Sequence, residues 1–348
     1  MKIKIKNFTI SKDSKPFIIA EMSGNHGQSL NKAYRIIDAA YKSGANAIKL
    51  QTYTPETITM DVKKKEFFIT DKKNPWKRNS LHSLYKKAHT PWSWHKNIFD
   101  YCKKKKIICF SSPFDNTAVD FLEKFNPPMY KIASFENNHY PLIKRVIETK
   151  KPIIISLGMI TEKELNNLIK FLKKNKCKKF ILLKCTSSYP SNPEDLNIKT
   201  IIDIKKKYKC ITGLSDHSIG IGAAVCAISL GGTVIEKHFM LSKKENTVDS
   251  AFSSDPKEFE LLTKEALNAW KSIGKIKYGS SSDEKKYRKF KRSIYVSKDI
   301  KKGEIFTKEN LKIVRPGHGL HPKFYFTIMG KKAKKNLKFG TALKSTYI

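Results

Sequence analysis

Eight short apolar runs rich in β-branched residues recur along the chain, and each is followed by a longer stretch with apolar residues at three-to-four spacing. The runs are FIIA (17–20), NAIKL (46–50), IICFS (107–111), MYKIA (129–133), PIIIS (152–156), FILLKC (180–185), CITGLS (210–215) and TVIEKH (233–238). Strands alternating with helical stretches form parallel sheets covered by helices. The intervening segments predict helices near 30–43, 92–105, 116–125, 139–149, 162–175, 196–207 and 220–230. Eight such units predict an α/β fold, a closed (β/α)8 TIM barrel over about residues 15–272. Residues 2–10, KIKIKNFTI, alternate strictly and predict a strand or hairpin under the barrel. The long excursion at 52–90 follows the second strand, and long loops at that end of a barrel usually carry function.

A last barrel helix is expected at 256–273, which closes a first domain over 1–273. The segment 274–290, GKIKYGSSSDEKKYRKF, loses apolar periodicity and reads as a linker. Residues 291–348 predict a small β-rich domain, with a helical start at TKENL. So small a unit buries little surface alone and is expected to dock on the barrel or on a second subunit.

The six cysteines, at 102, 109, 177, 185, 210 and 226, include no CxxC pair, and the N-terminus lacks a signal-peptide apolar core. A cytoplasmic protein with reduced thiols is expected, without a membrane span. The formal charge of +38 invites a nucleic-acid reading. The lysines are scattered, however, in runs such as 103–106, 173–179 and 205–207 that suit solvated helix faces. What survives is a general field favouring anionic substrates.

Catalytic groups of such barrels lie at the C-terminal strand ends. There the chain offers Glu21, Lys49, Gln51, Ser111, Ser112, Lys131, Ser134, Ser156, Lys184, Ser187, Tyr189, Ser215, Asp216, His217, Glu236, Lys237 and His238. Ammonium groups inside apolar strands are costly unless compensated, so Lys49, Lys131 and Lys184 suggest a carboxylate or phosphate in the mouth. Pairing with Glu21 or Glu236, or snorkelling to solvent, is the plainer alternative. His217 and His238 end neighbouring strands and can reach one point, which suits a divalent cation, although each taken alone could be a structural histidine. Glu21, two strands round from His217, could hold a water, act as a base or balance a lysine.

EMSGNHGQSL, AIKLQTYT, FSSPFD, YKIASFE, PIIISLGM, CTSSYP, GLSDHSIG and IEKHF resemble, in order and spacing, the sialic acid synthase family. The tail, KRSIYVSKDIKKGEIFTKENLKIVRPGHG, resembles that family's antifreeze-like (SAF) domain. The resemblance implies condensation of phosphoenolpyruvate (PEP) with an amino sugar, giving a nine-carbon α-keto acid and phosphate. AEMSGNH, AIKLQTYT and HTPWSWH are most similar to the pseudaminic acid branch, implying a 2,4-diacetamido-2,4,6-trideoxy-altrose type of sugar. N-acetylmannosamine or a legionaminic acid precursor is the alternative. By motif, Lys49, Ser112, Lys131, Ser134, Ser156, Ser187 and Ser215 would bind PEP, with Ser112 and Ser187 departing from the family's usual threonine and asparagine. Gln51, Tyr189 and Asp249 would bind the sugar with Glu21, and His217 and His238 would hold manganese or magnesium. The resemblance also implies a domain-swapped homodimer in which Arg315 of the partner subunit reaches the sugar. A Schiff-base aldolase using one strand lysine and a non-catalytic binder, of nucleic acid through the charge or of a surface through the tail, are the competing readings.

Overall fold

A computed structural model describes residues 2–71, 74, 76, 77 and 79–348. It divides into two compact units, 1–274 and 275–348.

The first unit opens with the expected hairpin, β1 (Lys2–Ile5) paired antiparallel with β2 (Phe8–Ser11). Eight parallel strands follow: β3 (Phe17–Glu21), β4 (Ala47–Thr52), β5 (Ile108–Pro113), β6 (Tyr130–Ile132), β7 (Ile153–Ser156), β8 (Phe180–Cys185), β9 (Ile211–Asp216) and β10 (Val234–His238). They close as β10-β3-β4-β5-β6-β7-β8-β9, the predicted barrel. Helices cross between them at Leu30–Lys42, His95–Lys105, Asn116–Glu123, Tyr140–Glu148, Glu162–Lys174, Thr200–Tyr208 and Gly222–Ser229, and Pro256–Ile273 completes the ring. Their starts are chemically marked: Thr161 with Glu164 and Asp255 with Glu258 form reciprocal capping boxes. The lysine runs 103–106, 173–179 and 205–207 cluster about the C-terminal ends of their helices, where cations complement the helix dipole.

Strand alternation sorts the side chains. Phe17, Ile19, Ala47, Phe110, Ile154, Ile181, Leu183, Ile211 and Val234 fill the barrel interior, and Ile3, Ile5 and Ile10 of the hairpin join that cluster as a plug. Ile48, Leu50, Leu214 and Ile235 face one helical layer, and Tyr130, Ile132, Ile155 and Leu182 face the other. A residue's parity therefore fixes whether it reaches the mouth.

Residues 275–348 form their own core of Ile294, Val296, Ile300, Phe306, Leu311, Ile328, Leu337 and Leu343 beside the antiparallel pair β11 (Ser293–Val296) and β12 (Leu311–Val314). The segment read as a linker contains a short helix, Ser282–Lys285, and a turn at Arg288–Phe290, with most of its residues exposed. The helical start expected at TKENL is instead a turn, because Asn310 Oδ1 accepts from Thr307 N at 2.7 Å and the chain runs straight into β12. Arg315 follows that strand and is exposed. Among the described residues, no helix is long and apolar enough to cross a membrane. All six cysteines are free.

Candidate active site

The C-terminal ends of the barrel strands carry a buried polar layer. Lys49 Nζ stands 2.5 Å from Glu21 Oε2 and 3.7 Å from Glu236 Oε1, while Lys131 Nζ stands 3.0 Å from the same Glu236 oxygen. Ser112 Oγ accepts from Lys49 Nζ at 3.2 Å, Ser215 Oγ donates to Glu236 Oε1 at 3.3 Å, and Gln51 Nε2 donates to Glu21 Oε1 at 3.1 Å. The four charged side chains are all buried. Within the folded chain, therefore, carboxylates compensate the two interior ammonium groups, and the plainer alternative accounts for their burial. Burial works against the carboxylate of Glu236, but Lys131 and Lys49 outweigh it and hold the group below its ordinary range. Burial pushes Glu21 up despite Lys49, and pushes Lys131 down despite Glu236.

The third lysine does not join them. Leu183 points inward, so Lys184 faces the outer layer, where its Nζ donates to Cys185 O at 3.0 Å. Two ammonium groups meet at the mouth, not three. Ser111 is likewise turned outward, within 2.6 Å of Thr52 Oγ1, and Lys237 and Asp216 pair behind the barrel.

The serines gather on the β6 to β8 side. Gly158 N donates to Ser134 Oγ at 3.1 Å, and a Cβ on Gly158 would overlap Ser187 Oγ. Glycine is thus what lets the two hydroxyls approach. Asn137 Nδ2 donates to Gly158 O at 3.1 Å and holds the end of β7 beside them. Ser156 Oγ is buried without any hydrogen-bond partner. A polar atom left so costs about 1–3 kcal/mol, which a bound anion accepting from it would offset.

Next to them, at the ends of β9 and β10, the His217 and His238 ring centroids lie 5.4 Å apart. His217 Nδ1 is 3.0 Å from Thr186 O, so a proton on that nitrogen leaves Nε2 with a free lone pair. His238 Nδ1 is buried with no hydrogen-bond partner, and Asp249 Oδ2 stands 3.6 Å away. Burial, reinforced by His217 and Lys49, keeps His238 neutral. Burial works against a charged His217, but Cys185 and Thr186 O outweigh it and raise the imidazole above its ordinary value, so a cation there would compete with a proton. Two imidazoles beside a buried carboxylate can offer one nitrogen each to a borderline divalent cation, with positions left for water or substrate.

Tyr189 lies 4.4 Å from His217 and Phe252 lies 4.8 Å from His238, ring centroid to centroid. The loop carrying Asp249 and Phe252 is tied down by Asn25, whose Nδ2 donates to Phe239 O at 2.9 Å and whose Oδ1 accepts from Thr247 at 2.6 Å. The excursion after β4 supplies Trp76, whose Nε1 donates to Val248 O at 2.6 Å. Together these enclose a cavity of about 460 Å³ lined by Gln51, Trp76, Tyr189, His238, Asp249 and Phe252 among others.

Lys184, Ser111, Asp216 and Lys237 turn away from the mouth, the other barrel residues predicted for the site lie in this layer or cavity wall, and Arg315 belongs to the second unit. Sequence reasoning missed Glu136, Trp76, Phe252 and Gly158. Glu136 lines the cavity two residues after Ser134, and burial raises its carboxyl to about 7. Its position in YKIASFE was the available signal. Burial would raise the Cys185 thiol, but His217, Ser134 and Lys131 together lower it to about 7.

A family model described as the NeuB family matches residues 36–278, and one described as the SAF domain matches residues 291–345. The chain is 47% identical to a pseudaminic acid synthase of Campylobacter jejuni, covering 99% of both chains. It is 42% identical to a pseudaminic acid synthase of Helicobacter pylori, covering 95% of this chain and 97% of that one. A crystal structure of the N-acetylneuraminic acid synthetase of Leptospira borgpetersenii in complex with citrate superposes with a TM-score of 0.73 at 32% identity, covering 82% of this chain and 95% of that one. With the barrel, its polar mouth and these full-length likenesses in hand, the chain belongs to the NeuB family and carries a C-terminal SAF domain.

Proposed function

We propose that this protein is a pseudaminic acid synthase, condensing PEP with a 2,4-diacetamido-2,4,6-trideoxy-altrose type of sugar and water to give the nine-carbon α-keto acid and phosphate. The single observation that carries the reading is the near-complete coverage at 47% identity with a pseudaminic acid synthase, over a barrel whose mouth gathers Lys49, Ser112 and Ser134.

Lys49, Lys131 and the hydroxyls of Ser112, Ser134, Ser156, Ser187 and Ser215 bind the phosphate and carboxylate of PEP. Glu21 and Glu236 keep the two ammonium groups charged and aimed until the anion arrives. Gln51, Tyr189 and Asp249, with Trp76 and Phe252, hold the open-chain sugar so that its aldehyde faces the PEP methylene carbon. His217 and His238 would hold manganese or magnesium, which when bound polarises a carbonyl oxygen.

The methylene carbon forms the new carbon–carbon bond with the aldehyde carbon, and water adds to the former enol-ether carbon. Cleavage of that carbon's bond to the bridging oxygen then releases phosphate. Of the water's two protons, one ends on the former aldehyde oxygen, which becomes a hydroxyl, and the other leaves on the phosphate. Glu21 and Glu136, two carboxyls at the mouth that burial raises towards neutrality, relay them. In this reading the chain works in the cytoplasm as a homodimer, with Arg315 of the partner subunit completing the sugar site.

The test is phosphate release and product mass with PEP and a panel of 2-acetamido and 2,4-diacetamido hexoses. Turnover of the altrose-type sugar is expected. Turnover confined to N-acetylmannosamine would overturn the branch, and borohydride trapping of a lysine adduct would overturn the chemistry.

A further inference from the structure

His217 and His238 have neighbours in sequence that the chemistry above leaves unused. Asp216 and Lys237 face outward from β9 and β10 and are directly opposed in the strand register. Lys237 Nζ stands 2.7 Å from Asp216 Oδ2 and donates to Ser218 O at 2.6 Å. Asp216 Oδ1 accepts from Ser218 N at 2.9 Å and from Ser218 Oγ at 2.6 Å. Both charged residues are only 1% exposed. On the other side of the same turn, Ser191 N donates to His217 O at 3.0 Å.

An ion pair this deeply buried is poor value for stability alone, because desolvating two charges offsets most of their attraction and apolar replacements are often neutral or better. What it does provide here is geometry. The side-chain bonds end on residue 218 or span β9 to β10, and Ser191 N holds His217 O, so the backbone on both sides of His217 is clamped and its offset from His238 is fixed.

We infer that Asp216, Lys237 and Ser218 form a positioning clamp that sets the two imidazoles at the spacing a shared divalent cation needs. The inference rests on the metal reading of the proposed function. All three lie on the outer side of β9 and β10, away from the mouth, so each acts through the histidine beside it.

The experiment titrates the full-length, substrate-free protein with Mn²⁺ by calorimetry and paramagnetic resonance, with thermal unfolding run in parallel. The apolar pair D216L/K237M removes the clamp while leaving no unpaired charge. It is expected to unfold cooperatively near the wild-type temperature and to bind Mn²⁺ about tenfold to a hundredfold more weakly. S218A, which loses a single hydroxyl, folds in any case and is expected to weaken Mn²⁺ binding severalfold. The exchange D216K/K237D keeps a charge pair but moves the ammonium to the strand that must accept from Ser218, and it too is expected to bind the ion weakly.

Mn²⁺ affinity within twofold of wild type in folded D216L/K237M, or in S218A if the double variant does not fold, overturns the inference. Absence of Mn²⁺ binding by the wild-type protein overturns the metal reading and this inference with it. Binding by wild type with unchanged affinity in the variants overturns the clamp alone.

Discussion

Gly158→Ala places one methyl group where two serine hydroxyls meet. The added Cβ would overlap Ser187 Oγ and stand 2.6 Å from Ser134 Oγ and 2.8 Å from Ser134 Cβ. Comfortable separations between non-bonded carbons are about 3.5–4.0 Å, so Ser134 must retreat by roughly 1 Å. Ser134 is buried on the turn after β6 and cannot simply swing into solvent. Gly158 does not have positive φ, so alanine strains no backbone there, and overpacking costs about 1–3 kcal/mol of stability. Each hydrogen bond to a charged group contributes about 1.5–3 kcal/mol, so displacing one serine from PEP should weaken its binding by about tenfold to a hundredfold. Phosphate release measured against PEP at saturating sugar should show the KM for PEP raised at least tenfold, with the KM for sugar within about twofold. Circular dichroism and thermal unfolding establish that the variant is folded. A folded variant with an unchanged KM for PEP would show that Ser134 and Ser187 do not contact the anion.

Other outcomes follow from the same geometry. His217→Ala and His238→Ala should each abolish turnover, and chelation of the wild-type protein should do so reversibly with added Mn²⁺; full activity in either variant refutes the metal reading. Burial raises Glu136 to about 7, so the folded chain keeps a proton that the unfolded carboxyl, with its usual value of 4.5, has released. The resulting stability is complete below about 4.5 and is lost as pH rises through about 7, worth on the order of 2 kcal/mol for a partly exposed group. Urea unfolding at pH 5 and pH 8 should therefore show a smaller pH dependence in Glu136→Gln, and an identical dependence would place the carboxyl in water. Arg315→Ala should raise the KM for sugar while leaving the KM for PEP and the unfolding temperature unchanged; an unaltered KM for sugar removes Arg315 from the site.

The sequence alone determined the barrel. Eight apolar runs at helix-length intervals admit little else, and the observed strands start or end within a residue or two of FIIA, PIIIS, FILLKC and TVIEKH. It also marked the polar strand ends, because Glu21, Lys49, Lys131, His217 and His238 stand out against apolar neighbours. Tertiary structure decided which of them meet. Lys184 looks equivalent to Lys49 in sequence, yet alternation counted from Leu183 turns it to the outer layer, where it binds Cys185 O. The same parity sends Asp216 and Lys237 behind the barrel and leaves Glu236 inside as the shared partner of Lys49 and Lys131. Trp76, Phe252 and Gly158 were invisible because an aromatic in a loop or a lone glycine acquires meaning only from what stands opposite it. A strand's period of two is local and can be read from the chain, whereas the partner across a closed ring depends on the register of strands far apart in sequence.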